Sequence, residues 1–348
     1  MTGERGEPSR GGLLSGAYSR ITGMRRTWYA RRPERRRRLH HSVISVGNLA
    51  TGGSGKTPVV AAVAGLLRSR GERPAILTRG YGRRESTEGV LVVSDGESVL
   101  EPVSRSGDEP QLLARTVSGV PVLVSRDRYI AGVLAERQFG VTVSILDDGF
   151  QHVQLERDVD LLLVSMSDLQ ERVLPSGHLR EPLAAARFAD ALLVTGTEED
   201  VTHVAGALGD QTAFRVVPRY ADLKVIKPRR DGGRGLLASP PGGPDKARPP
   251  DERVLAFAGI ARPERFFNAL RSLGYDVVRE MTFRDHHWYT PADLDAIQRA
   301  ARDANASLII TTEKDAVRCD LDVAVLPMTV QIEPAADFES WLMGRLKA

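Results

Sequence analysis

The residues best suited to chemistry lie in a glycine-rich loop, VGNLATGGSGKTP, at positions 46–58. Backbone N–H groups in such a loop, set between a strand and a helix, form a concave anion site to which the helix N-terminus adds positive charge. Lys56 is expected to reach the β- and γ-phosphates of a nucleotide, and the Thr57 hydroxyl to bind Mg²⁺. The strict G-x-x-x-x-G-K-[ST] pattern has glycine where this chain has Ala50, which leaves a glycine-rich turn with a chance Lys-Thr pair as the alternative. The predicted nucleotide-binding loop comprises Ala50, Thr51, Gly52, Gly53, Ser54, Gly55, Lys56 and Thr57.

Two acidic pairs are candidates for metal binding and proton transfer. The stretch SILDDGFQH ends an apolar run in Asp147 and Asp148, where acids at the end of a strand can hold Mg²⁺ or its water. Because Asp-Gly also favours turns, a strand-ending turn is the alternative. The stretch SGDEPQLLA places Asp108 and Glu109 before a helical run. Asp108 suits a helix N-cap, but phosphoryl transfer to an alcohol needs a carboxylate that accepts the proton of the hydroxyl.

A histidine and aromatic cluster, FRDHHWYT, lies later in the chain. A histidine beside an aspartate can be held in one tautomer and used in proton transfer, so His286 is a candidate; His286 and His287 could equally be cap or surface residues. A zinc site is not expected, because no second cluster of cysteine and histidine has ligand spacing. The single cysteine, Cys319, cannot form an internal disulfide, which is typical of a reducing compartment.

These residues must be positioned by alternating strands and helices. Runs rich in Val, Ile and Leu, such as SVISVGN and VTVSILDDGFQH, alternate with helical stretches such as TPVVAAVAGLLRSRG. The pattern predicts an α/β fold: a P-loop NTPase-like parallel sheet with helices on both faces. We expect residues 42–223 to form this nucleotide-binding domain. Residues 224–252, rich in Pro, Gly and charge, are expected to form a linker or hairpin that acts as a hinge, and residues 253–348 a smaller α/β domain.

The first 41 residues differ from the rest in charge. They contain 11 Arg and 3 Glu and so carry +8, which leaves −5 of the overall +3 for the remaining chain. Apolar residues recur between the arginines at roughly helical spacing, a pattern typical of a basic amphipathic helix on an anionic membrane surface; they are Leu13, Leu14, Tyr18, Ile21, Met24, Trp28 and Tyr29. A solvated arm, a helix packed on its own domain and a nucleic-acid contact are the alternatives. No run approaches the roughly 18 apolar residues that suggest a membrane span.

Eight stretches, in this order, resemble one family, the tetraacyldisaccharide 4'-kinases or lipid A 4'-kinases. They are SVGNLATGGSGKTP, LTRGYGR, GDEPQLLA, ILDDGFQH, LPSGHLREPL, FAGIARPERF, FRDHHWYT and TTEKDA. The resemblance covers most of the chain except the N-terminal arm, the linker and the tail. The loop of that family also lacks the first glycine, so Ala50 does not weaken the resemblance.

The resemblance implies ATP and Mg²⁺ as cofactors and phosphorylation of the 4'-hydroxyl of a tetraacylated glucosamine disaccharide 1-phosphate. It implies a peripheral or monotopic protein on the cytoplasmic face of the bacterial inner membrane. The implied partners are the lipid substrate and the anionic membrane surface, with neither nucleic acid nor an obligate protein partner. An enzyme that acts on a lipid benefits from residing at the surface that holds its substrate.

The resemblance also implies roles for single residues. Asp108 resembles the general base and His286 its partner across the domain cleft, with Lys56 on the phosphates. Gln151 is expected near the phosphates, and Arg180 of LREP is similar to a family position that contacts substrate or phosphate. The residues implied to hold Mg²⁺ and its water are Thr57, Glu109, Asp147 and Asp148, and which of the two aspartates faces the metal stays open. Because His286 lies in the second domain, we expect the site to form fully only when the domains close.

The main alternative is a P-loop GTPase or ATPase switch, such as a metal-insertion protein. A GTPase would need a guanine-reading N-K-x-D stretch, whereas TTEKDA has Lys and Asp adjacent. Metal delivery would favour pairs of cysteine or histidine, and the chain has one cysteine. A nucleic-acid-binding ATPase that uses the arginine arm is a second alternative. A kinase for another sugar or cofactor is a third, and only the family resemblance argues against it.

Overall fold

The computed structural model describes residues 10–53, 55–85, 88–228, 234–236 and 252–346. Within these residues the chain forms α-helices and β-strands arranged in two sheets. The helices are α1 Arg10–Ala30, α2 Lys56–Ser69, α3 Val103–Ser106, α4 Asp108–Thr116, α5 Arg128–Phe139, α6 Glu198–Ala207, α7 Pro263–Ser272, α8 Pro291–Asp303, α9 Glu313–Ala316 and α10 Ala335–Leu346. The strands are β1 Ser42–Asn48, β2 Pro74–Thr78, β3 Leu91–Ser94, β4 Val122–Val124, β5 Val143–Asp147, β6 Val159–Ser165, β7 Ala191–Thr195, β8 Ala213–Tyr220, β9 Lys224–Pro228, β10 Arg234–Leu236, β11 Arg253–Ala258, β12 Asp276–Thr282, β13 Leu308–Thr311, β14 Val323–Val325 and β15 Met328–Glu333.

Nine of the described strands form the larger sheet, in the order β15-β8-β7-β6-β1-β5-β2-β4-β3. All neighbours from β8 to β4 run parallel. The edge strands β15 and β3 run antiparallel to their neighbours. The central strands β1, β5 and β6 are almost wholly buried, which explains their continuous apolar sequences. The predicted α/β fold with a parallel-dominated sheet is confirmed.

Side chains of the larger sheet alternate between two hydrophobic layers. On one face, Ile44 and Val46 of β1 pack in a cluster with the inner residues of α2 and with Leu342 of α10. On the other face, Val43 lies in a cluster with Ala131 of α5. Helices therefore cover both faces, and the strand ends are left as the accessible edge where a ligand can bind.

Six described strands form the smaller sheet, in the order β10-β9-β14-β13-β11-β12. The strands β14, β13, β11 and β12 run parallel, whereas β9 and β10 are antiparallel to their neighbours. Helix α7 buries Phe267 and Leu270 on one face, and α8 buries Ile297 on the other. This second unit is therefore an α/β layer structure with its own core.

Two extended segments join the sheets side by side. β8 continues through residues 221–223 into β9, and β14 continues through residues 326–327 into β15. The Ala221 N–H donates to the Pro327 carbonyl at 3.0 Å, and the two segments pair antiparallel within both sheets. A two-stranded ribbon therefore connects the larger and the smaller domain.

Two boundaries expected from the sequence differ in the structure. Residues 224–228 and 234–236, expected to form a linker or a hairpin, form β9 and β10, which pair antiparallel as the hairpin alternative predicts. They belong to the smaller sheet and not to a separate segment; most of the remaining residues of 224–252 lie outside the described part of the chain. Residues 328–346, placed in the smaller domain by the sequence, return to the larger one, because β15 pairs with β8 and α10 buries Phe338 and Leu342 in the larger core. The chain thus crosses between the domains twice.

Helix α1 contacts the larger domain through one face. Its other face exposes Leu14, Ile21, Met24 and Trp28, whose spacing places them along one side of a helix. Residues 1–9 of the predicted arm lie outside the described part of the chain. Among the described residues, α1 and every other helix is too short or too polar to cross a membrane.

Candidate active site

The glycine-rich loop joins β1 to α2 at the carboxyl edge of the larger sheet. Gly55 precedes α2 with φ 82°, a left-handed conformation that glycine adopts without strain. Because α2 begins at Lys56, Lys56 and Thr57 stand in the first turn, whose N–H groups have no partner within the helix. The loop therefore has the geometry of an anion site at a helix N-terminus. Ser54, predicted as part of the loop, lies outside the described residues.

Lys56 is held between β1 and the acids that follow β5. Its Nζ donates to Asn48 Oδ1 at 2.9 Å and lies 3.3 Å from Asp148 Oδ1. Arg180 donates to the other Asp148 oxygen at 2.6 Å. Burial opposes ionisation of Asp148, but the charges of Lys56 and Arg180 outweigh it and lower the pKa of this carboxyl. The Gln151 amide donates to the Asn48 carbonyl at 3.0 Å, so both Gln151 and Arg180 lie beside the loop.

Asp147, the last residue of β5, is buried in a different environment from Asp148. The Thr78 hydroxyl donates to its Oδ2 at 2.9 Å. Burial, together with the nearby carboxylates of Glu109 and Asp148, raises the pKa of Asp147 to about 7. The three predicted Mg²⁺ carboxylates are therefore close enough to perturb one another electrostatically.

This donor set fits a divalent cation. Crowded carboxylates repel each other, and a bound cation removes that repulsion. Mg²⁺ usually takes one or two carboxylates and fills its remaining positions with phosphate oxygens and water. Among the described residues, no group of three or more His, Cys, Asp or Glu side chains is arranged to hold a metal ion by itself. Thr57, in the first turn of α2, supplies the hydroxyl that the loop pattern predicts.

Asp108 and His286 meet across the two domains. Asp108 begins α4 and is 2% exposed. Nδ1 of His286 lies 2.9 and 3.1 Å from its two carboxylate oxygens. The His286 ring fits against Gly82, where an added Cβ would lie 3.1 Å from Nδ1. The structure thus places the two residues predicted as base and partner in hydrogen-bond contact.

Two cations of the smaller domain, to which the sequence analysis gave no role, also face Asp108. Lys314 Nζ lies 3.1 Å from Glu109 and 3.8 Å from Asp108, and Arg318 Nη2 lies 3.5 Å from Asp108. Burial opposes ionisation of Asp108, but the His286 hydrogen bond and the charges of Lys314 and Arg318 outweigh it and lower its pKa. The carboxylate is therefore ionised at neutral pH. The sequence feature that could have identified Lys314 is the stretch TTEKDA, which follows an apolar strand as DDGFQH does.

The FAGIARPERF stretch, also without a role in the sequence analysis, lies over the glycine loop. An added Cβ on Gly53 or Gly52 would lie 3.5 or 3.7 Å from the Ala261 Cβ. A cleft beside this contact, at the carboxyl ends of β6 and β7, is lined in part by Thr51, Asp168 and Arg262. The smaller domain therefore contributes Ala261 and Arg262 to the surroundings of the loop.

The family model described as tetraacyldisaccharide-1-P 4'-kinase matches residues 12–347, nearly the whole chain.

The chain belongs to the tetraacyldisaccharide-1-P 4'-kinase family.

Relatives in the tetraacyldisaccharide-1-P 4'-kinase family resemble the chain over most of its length. The tetraacyldisaccharide 4'-kinase of Syntrophus aciditrophicus is 38% identical over 346 residues, which cover 93% of this chain and 89% of that protein. The tetraacyldisaccharide 4'-kinase of Geobacter metallireducens is 40% identical over 312 residues, 88% of this chain and 87% of that protein. The crystal structure of LpxK from Aquifex aeolicus in complex with ATP superposes with a TM-score of 0.75 at 32% identity, covering 96% of this chain and 98% of that one.

Membership of the tetraacyldisaccharide-1-P 4'-kinase family confirms the predicted resemblance and the predicted enzyme class, a phosphotransferase. The family and the ATP-bound structural relative favour an ATP-dependent kinase over a GTPase switch or a metal-insertion protein.

Proposed function

We propose that this protein transfers the γ-phosphoryl group of ATP to the 4'-hydroxyl of a tetraacylated glucosamine disaccharide 1-phosphate in lipid A biosynthesis. The observation that carries the proposal is the contact of Asp108 with His286 beside the phosphate loop, in a chain of this family. A buried, ionised carboxylate held by a histidine suits the removal of a proton from an alcohol. That feature is expected of a kinase and is not needed by a nucleotide switch.

The phosphates of ATP would bind at the glycine loop. The γ-phosphoryl group passes through a loose transition state, so the protein mainly positions groups and neutralises charge. The loop amides, the N-terminus of α2 and Lys56 would hold the β- and γ-phosphates. Arg180 would act through Asp148, since its side chain donates to that carboxylate.

Thr57, Glu109, Asp147 and Asp148 are the residues that would hold Mg²⁺ and its water. When bound, Mg²⁺ would neutralise negative charge on the phosphate oxygens. The raised pKa of Asp147 supports this assignment, because burial and then the neighbouring carboxylates of Glu109 and Asp148 raise it, and the charge of a bound cation would oppose both effects.

Asp108 would accept the proton of the 4'-hydroxyl as the sugar oxygen forms its bond to the γ-phosphorus. The bond from that phosphorus to the oxygen of the leaving ADP breaks, and the proton passes to the Asp108 carboxylate. His286 holds the carboxylate through Nδ1 and is suited to relay the proton. Lys314 and Arg318 keep Asp108 ionised before the step.

Closure of the two domains would complete the site. Asp108 and the loop lie in the larger domain, whereas His286, Lys314 and Ala261 lie in the smaller one. Closure also excludes water, which would otherwise accept the phosphoryl group in place of the sugar.

Helix α1 would seat the protein on the anionic face of the inner membrane. The exposed side of α1 carries Leu14, Ile21, Met24 and Trp28, and exposed arginines such as Arg20 and Arg25 flank them. Apolar side chains that insert at the acyl boundary and arginines that attract anionic headgroups are the two components of interfacial binding. The lipid substrate would then be reached from the membrane surface.

The deciding experiment incubates the purified protein with ATP, Mg²⁺ and a tetraacylated disaccharide 1-phosphate. A bisphosphorylated lipid product, formed with equimolar ADP, is the expected result. ATP consumption that is the same with and without the acceptor, or no binding of adenine nucleotide, would reject the proposed function.

A further inference from the structure

The polar contacts of α1 reach two segments that border the phosphate loop. Ser15 Oγ donates to the Val173 carbonyl at 3.0 Å, and Arg25 donates to the Gln151 carbonyl at 3.2 Å. Arg26 is more deeply placed and is only 4% exposed. Arginine is almost never fully buried unless it is paired, so the partners of Arg26 matter for the site.

Arg26 binds Glu181 and Phe150 at the same time. Its Nε and Nη2 donate to the two carboxylate oxygens of Glu181 at 2.7 and 3.0 Å. Nη2 also donates to the Phe150 carbonyl at 2.6 Å, and the guanidinium carbon lies 4.0 Å from the centroid of the Phe150 ring. The planar guanidinium group of Arg26 makes two hydrogen bonds to one carboxylate and stacks on an aromatic ring, so it fixes the orientation of both partners. The ammonium group of a lysine cannot do this.

Both partners are close neighbours in sequence of residues at the phosphate loop. Glu181 directly follows Arg180, whose side chain donates to Asp148 at 2.6 Å. Phe150 follows Asp148 by two positions and packs so closely on β1 that a Cβ added to Gly47 would meet the Phe150 Cβ at 2.5 Å. Because Glu181 is bonded to Arg180 and Phe150 is separated from Asp148 only by Gly149, the backbone links the position of each partner to that of a residue at the phosphate loop.

The segment that carries Glu181 is also paired with the loop itself. The Thr51 N–H donates to the His178 carbonyl at 2.7 Å, and the Arg180 N–H donates to the Leu49 carbonyl at 2.7 Å. Residues 178–181 thus lie along the start of the glycine loop and end at the carboxylate that Arg26 holds.

We propose that Arg26 is a positioning residue for the ATP site. Through Glu181 and Phe150 it fixes the Arg180–Asp148 pair and the segment along the glycine loop, so that α1 takes part in assembling the site as well as in contacting a membrane. The proposal rests on the proposed binding of MgATP at this loop.

The test replaces the buried pair by apolar residues of similar size, in the variant Arg26→Met/Glu181→Met. Replacing both members of a buried ion pair by packed apolar residues is often neutral for stability, whereas removing one leaves an uncompensated charge. We expect the Tm to stay close to that of the wild type. We expect the Kd for MgATP, measured by titration without lipid acceptor, to rise about tenfold, as is typical when a residue that orients a ligand-binding group is lost.

A role limited to anchoring α1 predicts a different result. The Tm would then fall, or α1 would detach, while the Kd for MgATP and kcat stayed unchanged. A folded double variant with wild-type MgATP affinity and kcat would overturn the proposal. If the double variant does not fold, the test uses Arg26→Lys, which keeps the positive charge but lacks the bidentate guanidinium. Unchanged MgATP affinity in that variant would overturn the proposal as well.

The control is Arg215→Met/Glu333→Met, which removes an ion pair of 2.7 Å between β8 and β15 of the same domain. It should leave the Kd for MgATP at the wild-type value. Because the titration contains no lipid acceptor, it separates this proposal from the proposed function: a wild-type protein that binds MgATP but phosphorylates no acceptor would count against the function alone.

Discussion

Asp108 belongs to the larger domain, but the side chains that stabilise its negative charge belong to the smaller domain. A buried carboxylate is costly unless it is paired, and the groups that pair with it are His286, Lys314 and Arg318. Their combined effect outweighs burial and lowers the pKa of Asp108, so the carboxylate is ionised at neutral pH. The catalytic aspartate of protein kinases accepts the substrate hydroxyl proton, and this is the role that we propose for Asp108.

Replacing Asp108 by Ala tests this role. We expect kcat to fall by at least about 100-fold, the low end for loss of a general base, because no other group takes the proton. The affinity for MgATP should be unchanged, since the phosphate loop is untouched. Initial rates of acceptor phosphorylation at saturating ATP give kcat, and titration gives the affinity. Asp303→Ala, an exposed acid at the end of α8, is the control, and near-normal turnover of the Asp108 variant would remove Asp108 from the base role.

Lys314 is the second residue whose loss should be informative. Its Nζ lies 3.1 Å from Glu109 and 3.8 Å from Asp108, so its charge stabilises two carboxylates of the proposed site. A hydrogen bond to a charged group contributes about 1.5–3 kcal/mol, and loss of about 1.4 kcal/mol of transition-state stabilisation lowers the rate about tenfold. Lys314→Met should therefore lower kcat by about tenfold or more. Lys314→Arg keeps the charge and should retain more of the activity. Equal rates for the Met variant and the wild type would show that Lys314 only supports the domain interface.

At the scale of an element, α1 has two faces with different partners. Arg26 and Ser15 bind the larger domain, whereas Ile21 and Met24 are 66% and 72% exposed. Apolar side chains left exposed on a helix that is otherwise docked indicate an interaction surface.

The variant Ile21→Ser/Met24→Ser tests that surface. Each CH₂ withdrawn from the acyl boundary costs about 0.8 kcal/mol, so partition into vesicles that contain anionic lipid should fall by at least about tenfold. Sedimentation with vesicles measures the partition. Ile130→Ser, which changes an isoleucine that is 50% exposed on α5, should partition like the wild type. The same loss in both variants would mean that α1 is not the membrane-facing element.

Local patterns could be predicted from the residues themselves, whereas the one long-range pairing that was expected, between Asp108 and His286, came from the family resemblance. The loop between β1 and α2 is recognisable because a strand, a glycine run and a helix follow one another within a short stretch. Residues 328–333, MTVQIE, alternate between apolar and polar side chains, a pattern typical of a strand, but this alternation does not reveal which sheet the strand joins. Its partner, β8, lies more than a hundred residues earlier in the chain.

The same limit applies to the site. Asp108 and Lys56 lie in stretches with distinctive local sequence. Arg26 is one of 11 arginines in the first 41 residues, and no local feature separates the buried one from its exposed neighbours. Its role depends on Glu181, 155 positions away, so it becomes visible only in the folded chain.

At the scale of the whole molecule, we propose that the two domains rotate about the ribbon of residues 221–223 and 326–327. The sequence predicts a hinge in residues 224–252, whereas the described part of that segment belongs to the smaller sheet. Each domain has its own core, and few residues connect them, which is typical of hinged domain closure. The site contacts between Asp108 and His286 would form and break as the ribbon bends.

A disulfide across the ribbon should slow this motion. Tyr220 and Met328 face each other in register at the domain boundary, so Tyr220→Cys/Met328→Cys places two thiols on adjacent strands. We expect the oxidised variant to lose more kcat than MgATP affinity, because ATP phosphates bind mainly to the larger domain whereas turnover needs closure and opening. Reduction should restore kcat. The control pair, Pro218→Cys/Val330→Cys, joins the same two strands two residues farther from the ribbon and should turn over alike in both redox states. If the boundary disulfide left kcat unchanged, or weakened MgATP binding as much as turnover, bending of this ribbon would not be the motion that limits the reaction.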